Sequence, residues 1–187
     1  DPASPHAHYE FGMALLRQGD SRAGYRELVR ATDLKPDFIK ARFQVATMHV
    51  LNKDTERAKQ ELEKIRQQNK DAKEGYYLAA QIAMAEKQPD NALKELEAAL
   101  NKEPQQASIY FDMGHVHMSQ KDYPAAENAF RKALEIDPNY YRAQDALDEA
   151  KEGIKRIRDG KKHQADLLKK QKEDELKKAG ASPTPED

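Results

Sequence analysis

Residues 107–138 read ASIYFDMGHVHMSQKDYPAAENAFRKALEIDP, and the spacing inside this stretch decides the fold. Tyr110, Met113, Gly114 and His117 follow one another at intervals that place them along one side of a helix. The polar run Gln120-Lys121-Asp122 then breaks the pattern, and a second helical stripe follows through Ala126, Phe130 and Ala133 until Pro138 stops it. Two helices joined by a short turn are therefore expected. Moving toward the N-terminus in steps of 34 residues from Gly114 reaches Ala80, Ala46 and Gly12. The second helix repeats in the same register, with Gly24, Ala58, Ala92 and Ala126 each followed four places later by Leu28, Leu62, Leu96 or Phe130. Small residues let two helix backbones approach, and the large residue fills the space that remains.

The pattern Tyr110-x2-Met113-Gly114-x2-His117, Ala126-x3-Phe130, Ala133, Pro138 resembles a tetratricopeptide repeat, a helix-turn-helix unit with a period of about 34 residues. The resemblance covers residues 5–140 as four units, 5–38, 39–72, 73–106 and 107–140. It implies an all-α, right-handed solenoid, with residues 1–4 as a short tail. Lys35-Pro36-Asp37, Glu103-Pro104-Gln105 and Asp137-Pro138-Asn139 separate units. Repeat two has Gln68-Asn69-Lys70 where proline is expected, so the shape of that boundary stays open.

Composition fits an elongated molecule. Charged residues make up 35% of the chain and aromatic residues 7%, a thin supply for a single globular core. Lys plus Arg totals 32 against 33 for Asp plus Glu, so no summed field steers the chain toward nucleic acid or anionic lipid. No apolar run approaches the ~20 residues that cross a bilayer, which argues against membrane insertion. Zero cysteines exclude disulfides and thiolate chemistry. Asp1 rather than Met opens the sequence, leaving an upstream signal, lipid anchor or domain open. The plain repeats and short turns resemble bacterial members of the family, which leaves periplasm and cytoplasm both open.

After residue 140, Leu147, Ala150, Ile154 and Ile157 recur at spacings of three and four, so residues 141–158 are expected to form a helix that caps the last repeat. Gly160 interrupts that stripe, and residues 159–179 carry many lysines around Leu167, Leu168 and Leu176. This charged extension is expected to be a solvated, fraying helix, with 180–187 disordered. The alternative is that those leucines dock on a second copy or another partner.

The resemblance also implies a site. In tetratricopeptide repeats the first helix of each unit lines a concave groove through its second, fifth, ninth and twelfth positions. The fifth is Tyr9, Phe43, Tyr77 and Phe111; the ninth is Met13, Thr47, Gln81 and His115; the twelfth includes Met84 and Met118. The expected groove is an aromatic and thioether ladder with few charges, suited to a peptide or amphipathic helix of a partner protein. Phe111 is expected to present its ring to that groove, whereas Phe130 fills the core. The lysine and asparagine clamp by which one branch of the family holds chaperone tails is absent, since its positions read Tyr9, Met13, Gln44, Glu74 and Leu78. One repeat later they read Phe43, Thr47, Leu78, Ser108 and Asp112, again without a cation.

Catalytic and metal chemistry find no foothold in the sequence. His6 with His8 and His115 with His117 are two residues apart, so on a helix they diverge by about 200°, whereas zinc pairs use spacings of three or four. No phosphate-cradling glycine loop or nucleophile, base and orienter set stands out. The reading is a noncatalytic scaffold without a cofactor that binds another protein. The alternative is a structural protein whose groove or C-terminal helix recruits another copy of itself.

Overall fold

The computed structural model describes residues 4–180, so the segments 1–3 and 181–187, including most of the expected tails, lie outside the described residues. Among the described residues every regular element is an α-helix. Four hairpins follow one another: α1 (Pro5–Arg17) with α2 (Ser21–Leu34), α3 (Ile39–Leu51) with α4 (Thr55–Gln68), α5 (Lys73–Ala85) with α6 (Pro89–Lys102), and α7 (Ala107–Ser119) with α8 (Tyr123–Ile136). A long final helix, α9 (Tyr141–Ala179), packs on α8 and touches α7. Each helix packs on its neighbours in the chain and α3 also packs on α5, which makes the molecule an α-solenoid.

The turns inside the hairpins share one geometry. Gly19, Lys53, Lys87 and Lys121 stand 34 residues apart, and all have positive φ, between 58° and 89°. At each, the residue's own N–H donates three residues back and the next N–H donates five back, for example Lys53 to Val50 and Asp54 to His49. This is a Schellman stop, which satisfies the last carbonyls of the first helix. Asp20, Asp54 and Asp122 then cap the second helices by accepting from Ala23, Arg57 and Ala125. The third hairpin dispenses with the aspartate and starts on Pro89.

The turn after repeat two has Lys70 where the other boundaries have proline, and it closes through a side chain. Asn69 Oδ1 accepts from the Asp71 N–H at 3.0 Å, as Asp137 Oδ1 accepts from Asn139 at the end of repeat four. The core follows the small and large alternation. A Cβ at Gly114 would lie 2.3 Å from the fully buried Phe130 ring, so α7 approaches α8 as closely as only glycine permits.

The last helix departs from expectation. Ala143, Ala146, Leu147 and Ala150 are buried against α7 and α8, sealing the end of the core. Gly160 does not break α9, which runs on as one 39-residue helix. One glycine costs roughly 1 kcal/mol, and the lysines, glutamates, glutamines and leucines around it are strong helix formers. Asp166 with Lys170 and Glu173 with Lys177 also sit at the favourable acid-to-base spacing of four. Ile157, expected in the buried stripe, is 43% exposed, and from Lys155 to Lys177 every side chain is exposed.

A candidate groove between three first helices

Register places the first helices α1, α3, α5 and α7 side by side, and the region between α3, α5 and α7 holds two adjoining cavities. One, of about 470 Å³, is lined mainly by Val50, Leu51, Ala80, Met84, Ala85 and Val116. The other, of about 380 Å³, adds Phe43, Gln44, Lys40, Glu74 and Ser108. Tyr77, Gln81 and Asp112 border both. The groove therefore has an apolar compartment and a polar one that meet at these three side chains.

The residues expected to form a ladder do not behave alike. Thr47 and Gln81 are joined across adjacent repeats, Thr47 Oγ1 donating to Gln81 Oε1 at 3.0 Å, and both line the apolar cavity with Met84 and His115. Phe43 and Tyr77 are half-buried, so their rings serve both the packing between repeats and the groove wall. Tyr9 leans on Phe38 with ring centroids 5.2 Å apart and borders the polar cavity. Met13 and Met118 line neither cavity, and Met118 packs toward the α7–α9 core.

Phe111 corrects the expected ladder. Its ring is only 4% exposed, because the chain beyond the last repeat folds over it. Tyr140 lies 5.0 Å away, Phe130 5.8 Å, and the Arg142 guanidinium sits 5.0 Å above the ring. In the last unit the fifth position is thus core. His115 stacks edge-on against the covered ring at 4.4 Å. Partial burial, with a smaller push from Arg142, lowers the His115 pKa below the usual histidine value.

The expected scarcity of charge is corrected as well. Asp112 stands where the two cavities meet, and among the described residues it makes no ion pair. Its side chain is open to the groove but enclosed on its flanks, and this desolvation raises its pKa to about 6 against a smaller opposing pull from Arg142. Beside it, the Tyr77 hydroxyl is buried without a hydrogen-bond partner; Ser108 is near it but outside hydrogen-bonding geometry. Burial pushes the Tyr77 pKa up to about 12.

Leu51 and Asp112 are among the groove residues that position-based reasoning misses. Leu51 is 70% exposed at the mouth of the apolar cavity. Its signal was available: the equivalent residues of the other repeats are Arg17, Ala85 and Ser119, so a large aliphatic side chain stands alone at an exposed position. Among the described residues no three histidine, aspartate or glutamate side chains gather in a way that could hold a metal ion. No described helix is long and apolar enough to cross a membrane.

A family model for the tetratricopeptide repeat matches residues 83–147, and the same hairpin recurs in register from Pro5 to Ile136. This chain contains tetratricopeptide repeats. Its solenoid is similar to that of TTC0263, a thermophilic repeat protein of Thermus thermophilus, with a TM-score of 0.73 at 17% identity over 81% of this chain and 83% of that one. The MamA protein is similar over all of both chains at 21% identity and a TM-score of 0.54. YrrB, described as a tetratricopeptide-repeat protein with an unusual peptide-binding site, aligns over 78% of this chain and 75% of its own at 18% identity, with a TM-score of 0.55. Identities in this range speak for the shared fold. An uncharacterized protein of Haemophilus influenzae is 31% identical over 113 residues, 58% of this chain and 60% of that relative's length.

Proposed function

We propose that this tetratricopeptide-repeat chain is a noncatalytic scaffold that holds a segment of another protein in the groove between α3, α5 and α7. The observation that carries this reading is the junction at Tyr77, Gln81 and Asp112, where an apolar cavity meets an unpaired carboxylate and an unsatisfied phenol. An ordinary core removes such groups or pairs them. A ligand that brings an apolar side chain and a donor would satisfy both compartments at once. Covering the largely exposed Leu51 would add about 1–2 kcal/mol on the usual scale for apolar burial. The shared fold with YrrB supports a peptide as the kind of ligand.

In this reading Thr47, Gln81, Met84, His115, Leu51 and Asp112 touch the ligand. Phe43, Tyr77 and Tyr9 shape the walls, and Phe111 holds the end of the groove rigid from beneath. Affinity capture from the source cells tests it, comparing the wild type with a Leu51→Asp, Gln81→Arg variant whose circular dichroism and melting are unchanged. A protein retained by the wild type and lost by the variant is the expected result. Equal retention by both would move the site away from the groove.

A further inference from the structure

Among the described residues, the distal part of α9 is exposed on every side. Fourteen or so residues suffice to seal the core, since Gly153 and Ile154 are the last that are not exposed. The helix then continues to Ala179, and at 1.5 Å per residue that arm is roughly 37 Å long. Leu167, Leu168 and Leu176 on it are 48%, 53% and 72% exposed. The stretch 155–172 holds eight lysines and arginines against two aspartates, in a chain whose overall balance is near neutral.

The opposite charge sits at the C-terminal end of the groove. Continuing the 34-residue register onto α9 puts Arg142, Asp145, Glu149 and Glu152 at the second, fifth, ninth and twelfth positions. Arg142 covers the Phe111 ring of α7, and Glu149 is close enough to His115 for its charge to act there. With Asp112, this wall carries four carboxylates against one guanidinium. Asp112 and His115, on the α7 side of this wall, line the same apolar cavity as Leu51 and Met84.

From this complementarity we infer that the groove receives the arm of a second copy, Leu167 or Leu168 entering the apolar cavity while the lysines of 155–172 face Asp112, Asp145, Glu149 and Glu152. The inference rests on the reading of the groove as a segment-binding site and takes the segment from a second copy of this chain. The arm cannot serve its own groove. Residues 142–152 of α9 form that wall, and folding 155–172 back would break a continuous helix. Arm and groove are different surfaces, so the contact is heterologous and propagates head to tail into open chains unless a rotation closes it.

Sedimentation velocity of the full chain, from micromolar to near-millimolar concentration at neutral pH, tests this directly. The weight-average mass rises with concentration, and Leu168→Asp and Asp112→Asn each weaken association about tenfold or more. Both positions are exposed, so both variants retain the wild-type helical signal. A labelled peptide of residues 155–177 binds the full-length Leu168→Asp chain, whose groove is intact, and binds it at least tenfold less when Asp112→Asn is added. A monomer at every concentration that also fails to bind the peptide overturns the inference. So does association that either substitution leaves unchanged. Those failures leave the groove reading to the capture experiment, where a partner lost on Leu51→Asp, Gln81→Arg would still uphold it.

Discussion

Replacing Phe111 with alanine separates a groove residue from a core residue. The ring is 4% exposed and lies among Phe130, Tyr140 and His115, with Arg142 above it, so its removal empties the junction of α7, α8 and α9. Phenylalanine-to-alanine changes in packed cores cost about 3–5 kcal/mol, and the lost ring and guanidinium contacts belong within that range. For a chain of this length the melting temperature should fall by roughly 6–20 °C. Because each repeat contacts chiefly its neighbours, the damage should concentrate at the C-terminal end. Urea unfolding of the Phe111→Ala and Phe130→Ala variants, with hydrogen exchange read over residues 141–154, measures both size and place. The two variants should lose comparable stability and lose protection first in α9. A cost below about 1.5 kcal/mol for Phe111→Ala, with protection intact, would mean that the ring is groove surface after all.

Other positions give sharper contrasts of sign. Tyr77→Phe removes a buried hydroxyl that has no partner, so it should leave stability unchanged or raise it by up to about 1 kcal/mol; a clear loss in urea would reveal a bond that the hydroxyl makes. Lys53, Lys87 and Lys121 hold left-handed backbone, and glycine at all three together should stabilise by about 1–2 kcal/mol after the added unfolded-state entropy is subtracted; a lower melting temperature would refute the strain. Asp112 has a folded pKa of about 6, above its unfolded value of 3.8, so the folded state holds the proton more tightly and this group's contribution to stability falls as pH rises through that window. Asp112→Asn should therefore melt higher than wild type at pH 7.5 and equally at pH 4, in the presence of Arg142 from α9, Tyr77 from α5, and Tyr140 and His115 beside it. Equal melting at both values would show that the carboxylate is not desolvated.

The repeat architecture was legible because packing constrains sequence most where backbones meet. Gly114 must be glycine to admit Phe130, and its register with Ala80, Ala46 and Gly12 exposes the whole solenoid. The turns were legible in place but not in conformation: lysine at 53, 87 and 121 gives no warning of positive φ, which the Schellman bonds impose. Position in the repeat pointed to Thr47, Gln81 and Met84, which line the cavity between α3, α5 and α7. It failed at Phe111 because the last repeat has a different neighbour. There Tyr140 and Arg142 close over a position that earlier repeats leave half open. It failed at Asp112 because a fixed set of positions omits the sixth, and a lone carboxylate acquires meaning only when the cavities on both sides are seen. Continuity of α9 through Gly160 was hidden because helix propensity summed over many residues outweighs one glycine.

Photo-crosslinking in the source cells tests the central claim most directly, with a benzophenone amino acid placed at Gln81 inside the groove and, in a second variant, at Glu97 on the exposed side of α6. The account predicts a discrete polypeptide adduct from position 81, whether another protein or a second copy, and none of comparable yield from position 97. Adducts from position 97 alone, with position 81 silent in a folded chain, would contradict it.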